Sequence, residues 1–209
     1  MYRSLIVVDD FYNNPRTVRE YALSQNYSKP DYITGYPGIE TEGGLPPEQL
    51  TKVMKYFSSL IGKKVVSFKD DPQGRFRLQS EEVMKTRRNI IHADPCRWTG
   101  LVYLSLPEDC KGCLSIYKHN ETGLLRIDPL NREVEEAMKR KQLDHEGLKG
   151  WLVEEGLDVN KWQRLSSVEY KFNRLILFDG GIFHGVQQLF GQTKEDSRLS
   201  QHFFFEEAE

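Results

Sequence analysis

A histidine and an aspartate two positions apart, His92 and Asp94, stand inside the run NIIHADPCRWTGLVYLSL over residues 89–106. The run is otherwise apolar and reads as two strands joined by a short bend. On a strand, side chains at i and i+2 point to the same face, so this pair can aim an imidazole and a carboxylate at one point, a chelate geometry. Taken alone, the pair also fits a core histidine followed by an aspartate that caps the turn before Pro95. A second group lies downstream in NRLILFDGGIFHGVQQLFGQTKEDSRLSQHFFF, residues 173–205. Here RLILF reads as a strand, DGG as a tight turn, and His184 follows at a strand edge. Further on, Arg198, Ser200 and His202 share a face by strand alternation, which places a cation, a hydroxyl and an imidazole on one wall. Two histidines and one carboxylate suit a facial triad that holds Fe(II) and leaves three coordination positions open. A chelating dicarboxylic 2-oxo acid then needs a cation for its distal carboxylate. Arginine supplies a permanent, fork-shaped charge for it, and a hydroxyl adds one more hydrogen bond.

These residues require a β scaffold. Segment 4–9 reads as a strand that ends at Asp9 and Asp10. From Asn14, with Pro15 in the first turn, NPRTVREYALSQ reads as a helix capped by the asparagine. Residues 29–46 read as loop, and PPEQLTKVMKYFSSLIG as a second helix that Gly62 terminates. Beyond Lys63 the texture becomes short β-rich runs: VVSF, GRFRLQ, NIIHAD, TGLVYLSL, LSIYKH, SSVEY, NRLILFDG and RLSQHFFF. Such a series, with turn signals between, predicts a sandwich or closed barrel. It is interrupted over 119–165, where NREVEEAMKRK and EGLKGWLVEEGL read as helices. A lid over the site and a solvated decoration are both open readings of this insertion. The expectation is one domain over 1–209: an α-rich support (1–62), a β-core (63–118 and 166–205) and the helical insertion (119–165).

At 209 residues and 38% hydrophobic content the chain can bury one substantial core. A net charge of −2, from 29 basic and 31 acidic residues, leaves no electrostatic footprint for nucleic acid or an anionic membrane. The apolar run before Asp9 is too short for a signal peptide, and nothing approaches the ~18 apolar residues of a membrane span. Three cysteines are too few for a disulfide framework. A cytoplasmic protein is expected. Cys110 and Cys113 form a CKGC, but with Cys96 the only other thiol a four-thiolate zinc site cannot be built, and the motif reads as a glycine turn. His119 and His145 read as surface residues, and Asn173 as the end of a turn.

The ordered set of HxD, a distant histidine and Arg-x-Ser, each on its expected β element, resembles the Fe(II)/2-oxoglutarate-dependent oxygenase superfamily. TGLVYLS and NRLILFDG…H resemble its prolyl-4-hydroxylase-like branch, especially small stand-alone bacterial members, over residues 75–205. One departure is KGCL, where many relatives carry a Gly-Gly pair. The resemblance implies a mainly β fold: a double-stranded β-helix (jelly roll, cupin-like) core with N-terminal helices and a helical insertion. It implies His92, Asp94 and His184 as iron ligands and Arg198 with Ser200 as the anchor of the C5 carboxylate of 2-oxoglutarate. Fe(II) is the implied cofactor, with 2-oxoglutarate and O2 as cosubstrates. The implied reaction is oxidative decarboxylation to succinate and CO2, coupled to hydroxylation of a substrate C–H bond. Halogenating relatives have a small residue where Asp94 stands, so hydroxylation is favoured. Nucleic-acid demethylases add a second arginine where Phe204 stands, which argues against base repair. Tyr103 and Tyr117 are candidate hydrogen-bond donors to the cosubstrate. Trp98, Arg77 and Arg88, with Arg75 and Arg87, are candidates for substrate contact. The expected partner is a small molecule such as an amino acid or a biosynthetic intermediate. Two alternatives stay open: a cupin-like metal-binding jelly roll without oxygenase activity, and a peptidyl prolyl hydroxylase.

Overall fold

The strand that organises the molecule is RLSQHFFFEE, residues Arg198–Glu207, because its two faces differ in chemistry. Leu199, Phe203 and Phe205 point into one apolar cluster, while Arg198, Ser200 and His202 point the other way and are also buried. A strand with both faces covered belongs in the centre of a layered structure. The computed structural model describes residues 4–29, 38–69, 72–82, 91–128 and 131–208. In chain order the elements are β1 (Leu5–Val8), α1 (Pro15–Ser24), β2 (Tyr27–Ser28), β3 (Ile39–Thr41), α2 (Pro47–Ile61), β4 (Val65–Ser67), β5 (Arg75–Gln79), β6 (Trp98–Tyr103) and β7 (Cys113–His119). They continue with α3 (Arg132–Lys141), α4 (His145–Glu155), a 3-10 turn (Val159–Lys161), β8 (Trp162–Glu169), β9 (Leu175–Asp179), β10 (His184–Val186) and β11 (Arg198–Glu207).

The larger sheet runs β1-β9-β6-β11-β5-β3-β2, with β4 paired to the end of β11, and the smaller runs β10-β7-β8. All these pairs are antiparallel. A single bridge between His92 and His184 adds the HxD segment to the smaller sheet. From β5 onward the chain therefore alternates sheets: β5, then His92, β6, β7 and β8, β9, β10, and finally β11. That winding is a double-stranded β-helix. Leu101, Tyr103, Ile176 and Phe178 of the larger sheet meet Leu114 of the smaller one and Tyr170 and Phe190 in the space between the sheets.

Both outer faces are covered. Ala22 and Phe57 from α1 and α2 pack with Leu78, Leu177, Phe203 and Phe205 on the back of the larger sheet. On the smaller sheet Val134, Ala137, Leu148 and Leu152 from α3 and α4 pack with Tyr117, Trp162 and Phe183. The helix signals are realised with one exception. Gly62 ends α2 in the left-handed region at φ 82°, where glycine carries no Cβ penalty. Asn131 and Asp144 cap α3 and α4 through their side chains. Asn14 occupies the N-cap of α1 but its side chain makes no capping bond, and Pro15 already removes one of the N–H groups that a cap would satisfy. The segment read as loop carries β3, which pairs with β5 and takes its extended form from that neighbour. The insertion spans 120–161, since β7 runs to His119 and β8 begins at Trp162. Among the described residues no helix is long and apolar enough to cross a membrane.

Candidate metal centre

His92 and His184 exchange backbone hydrogen bonds of 3.0 and 2.8 Å, which brings their rings side by side with centroids 4.4 Å apart. Two residues on, the Asp94 N–H donates to the Gly180 carbonyl at 2.8 Å, pinning the bend against the DGG turn. The Asp94 carboxylate consequently reaches both rings, with Oδ1 3.6 Å from His92 Nε2 and Oδ2 3.5 Å from His184 Nε2. One ligand atom from each residue lies within 4.8 Å of the other two. Among the described residues this is the group of three or more such side chains able to hold a metal.

The surroundings leave these groups able to act as metal ligands. His184 Nδ1 lies 2.8 Å from the Ile182 carbonyl, which can only accept, so the proton sits on Nδ1 and the Nε2 lone pair faces Asp94. Burial, with the neighbouring His92, pushes the His184 pKa down to about 4, so the ring is neutral near pH 7. Burial favours the protonated form of Asp94, but His184, His92 and a hydrogen bond from Thr99 outweigh it and hold the carboxyl below its ordinary value. That bond runs from Thr99 Oγ1 to Oδ2 at 2.6 Å.

Between the sheets the wall expected from the Arg-x-Ser pattern is present. Arg198 is 1% exposed; its Nη1 donates to Gln79 Oε1 and, at 3.1 Å, to Ser200 Oγ. Its guanidinium carbon lies 5.4 Å from the Tyr103 ring centre and 5.0 Å from that of Tyr170. The hydroxyls of both tyrosines are buried and meet hydrogen-bond geometry with no described residue, although Arg198 stands close enough to favour their ionised forms. Burial dominates and raises both pKa values, so the two groups are neutral donors. Buried polar atoms left this way beside a cation fit a carboxylate-bearing guest. Tyr170 went unnoticed in the sequence, although it ends the SSVEY run two positions after Val168, whose side chain packs in the same cluster.

The remaining candidate residues make other contacts. Tyr117 lies in the cluster beneath the insertion helices, on the outer face of β7, away from Tyr103 and Arg198. Trp98 packs in the cluster behind the larger sheet and its indole N–H donates to Glu207. Arg77 is buried, its Nε donating to Glu40 at 2.9 Å. Arg75 also donates to Glu40, at 2.7 Å. Arg87 and Arg88 lie outside the described residues. His119 is fully buried between Trp151 and Trp162, contrary to the surface expectation, because the insertion folds back over it. Asn173 does more than end a turn: its amide clasps the backbone of Tyr12.

A cleft of about 500 Å³ opens at the HxD bend. His92, Asp94 and Arg97 line one side, Arg126 and Asp179 another, and His145, Lys149 and Leu152 of α4 a third. The arginines and Asp179 are not loose charges, since Asp179 accepts from both Arg97 and Arg126.

Comparison with known proteins agrees with this architecture. A family model described as a family of unknown function (DUF6445) matches residues 2–205. No curated protein matches the sequence. Among solved structures, HygX from Streptomyces hygroscopicus with nickel and 2-oxoglutarate bound is similar at 12% identity and TM-score 0.52, over 97% of this chain and 82% of that one. HygX with nickel, 2-oxoglutarate and hygromycin B bound gives TM-score 0.54 at the same identity and coverage. A Pseudomonas putida prolyl-4-hydroxylase is similar at 12% identity and TM-score 0.42, over 99% and 94% of the two chains. At 12% identity the likeness to HygX is one of fold. The fold shared with HygX is a double-stranded β-helix, the fold expected from HxD…His…Arg-x-Ser.

Proposed function

We propose that this chain, which belongs to the DUF6445 family, is a non-haem Fe(II)/2-oxoglutarate-dependent dioxygenase that hydroxylates a C–H bond of a small molecule. The observation that supports this reading above others is the pairing of two sites in one barrel. A His-Asp-His group lies at its mouth, and a buried arginine, serine and two tyrosine hydroxyls lie deeper between the same sheets.

His92, Asp94 and His184 would hold the metal, and Arg198, Ser200, Tyr103 and Tyr170 the distal carboxylate of 2-oxoglutarate. The bound metal and cosubstrate supply the oxidising power drawn from O2, with succinate and CO2 released. The chain's own work is placement. The Ile182 carbonyl holds the His184 tautomer, Thr99 orients the Asp94 carboxylate, and Phe178, edge-on to His184 at 4.6 Å, keeps that side of the centre dry. The cleft between the HxD bend and α4 is the candidate substrate site. Its volume of about 500 Å³ falls within the range of small-molecule pockets and is lined in part by apolar side chains. An amino acid or a biosynthetic intermediate is a substrate of suitable size.

The test is titration of the Fe(II) or Mn(II) protein with 2-oxoglutarate, followed by a substrate screen scored by succinate release. Metal-dependent binding of 2-oxoglutarate and substrate-stimulated succinate are expected. His184→Ala should abolish the succinate without unfolding the protein. Metal binding with no 2-oxoglutarate binding overturns the oxygenase reading in favour of a cupin-like metal-binding jelly roll. Succinate release with proline-containing peptides alone moves the assignment to a peptidyl prolyl hydroxylase.

A further inference from the structure

His202 lies beneath the Arg198–Ser200 wall with a charged partner on one side and a hydroxyl on the other. Its Nδ1 is 3.0 Å from Arg77 Nη1, and its Nε2 is 2.8 Å from Ser200 Oγ. A guanidinium has no acceptor, so Nδ1 must accept from Arg77 and carry no proton. The ring's proton is then on Nε2, where it can only be donated to Ser200. Ser200 Oγ also receives Arg198 Nη1 at 3.1 Å. A hydroxyl has two lone pairs and one proton. With both lone pairs engaged, the Ser200 proton is left to point along the third direction, away from His202 and Arg198. Arg77 is in turn held by Glu40, the carboxylate that Arg75 also contacts.

We propose that His202 is a positioning residue for the cosubstrate: held by Arg77, it fixes Ser200 as a hydrogen-bond donor to the distal carboxylate of 2-oxoglutarate. The inference rests on the oxygenase reading and deepens it. Without the Nε2–H, the serine proton is free to turn toward position 202, and the carboxylate meets a lone pair in part of the population. Burial, together with the charges of Arg77 and Arg198, holds the His202 pKa well below its ordinary value, so the neutral tautomer persists across the working pH range.

The experiment compares two ligands of the metal-loaded protein: 2-oxoglutarate, and 2-oxovalerate, which lacks the distal carboxylate. His202→Leu should weaken 2-oxoglutarate about tenfold, the scale of one hydrogen bond to a charged group. It should leave 2-oxovalerate and metal affinity unchanged. His202→Gln, whose amide offers an acceptor and a donor at similar spacing, should recover most of the loss. Ser200→Ala should weaken 2-oxoglutarate similarly, and adding His202→Leu to Ser200→Ala should cost nothing more. Equal losses for both ligands, or additive losses in the double variant, overturn the inference while the oxygenase reading stands. Failure of the parent protein to bind 2-oxoglutarate overturns both. Because His202→Leu removes a buried partner and can fail to fold, the imidazole nitrogens of the parent protein are also read by NMR. A proton on Nδ1 of His202, or a charged ring, overturns the inference without any variant.

Discussion

At the scale of single residues, the members of the candidate site were legible because their types are uncommon in an apolar β setting and their order is specific. Strand alternation aligned His92 with Asp94 and Arg198 with Ser200, whereas the meeting of His184 with the first pair depends on the bridge between His92 and His184. The contacts of His202 were not legible, since its ring meets Arg77 on β5, itself held by Glu40 on β3. Tyr117 and Trp98 were illegible for another reason. Both faces of their strands are covered, so burial carries no sign of direction. Arg198→Ala should remove about 2–5 kcal/mol of charge-assisted contact and weaken 2-oxoglutarate roughly 30-fold or more, with metal affinity unchanged. Arg198→Lys should recover only part, because an ammonium lacks the fork; titration of the metal-loaded variants checks both. His202 also sets a pH dependence. Its folded pKa lies well below that of the unfolded chain, near 6.5, so the unfolded state takes up the proton first as pH falls. The stability due to the neutral ring is whole above about pH 6.5 and is lost progressively below it. Burial depresses His119 in the same direction. Thermal unfolding of the metal-free protein should therefore show a falling Tm below about pH 6.5, and His202→Gln should flatten part of that fall.

At the scale of elements, the site depends on the DGG turn and on helix α4, which hold the HxD bend. Gly180 is a tight point: its N–H donates to the Arg97 carbonyl, its own carbonyl receives Asp94, and a Cβ there would stand 2.3 Å from the Cys96 carbonyl oxygen. Backbone cannot move aside as a flexible side chain can. Gly180→Ala should displace Asp94 and weaken metal binding by about tenfold or more, the scale of a lost supporting contact around a metal site, as calorimetry with Mn(II) would show. Helix α4 forms the far wall of the cleft and is fixed by its Asp144 cap, whose Oδ1 accepts the Gly147 N–H at 2.7 Å. Asp144→Ala should cost about 1 kcal/mol of stability, read in denaturant unfolding. Replacing 120–161 by a short linker should do something different in kind. 2-Oxoglutarate should still be consumed in the presence of substrate, but with little product, because one wall of the site is gone and water enters. Tight coupling after that deletion would return the insertion to a decoration. The two helices of this segment were readable as helical runs. Its side of the barrel was not, because nothing local in α3 or α4 specifies which sheet they cover.

At the scale of the whole molecule, the question is whether residues 4–62 merely support the barrel or fold as part of it. The strand pairings favour the second. β1 closes one edge of the larger sheet on β9, and β3 extends the other on β5. Phe57 of α2 is fully buried, edge-on to Phe203 and Phe205 at 5.4 Å each, and sits so close over β6 that a Cβ on Gly100 would lie 3.1 Å from its ring. Those phenylalanines are on the back of β11, the strand whose front carries Arg198, Ser200 and His202. Phe57→Ala leaves a cavity behind that strand and should cost about 3–5 kcal/mol, a large share of the total stability of an ordinary domain. If 4–62 and the barrel share one core, the loss should appear as a lower midpoint of a single unfolding transition, seen alike by fluorescence and far-UV circular dichroism. Metal affinity of the folded variant should stay the same, because the triad lies at the barrel mouth on other strands. Two separate transitions, with only the first shifted by Phe57→Ala, would show instead that the helices are a detachable layer. In that case the barrel alone, from residue 63 onward, should bind metal and 2-oxoglutarate by itself.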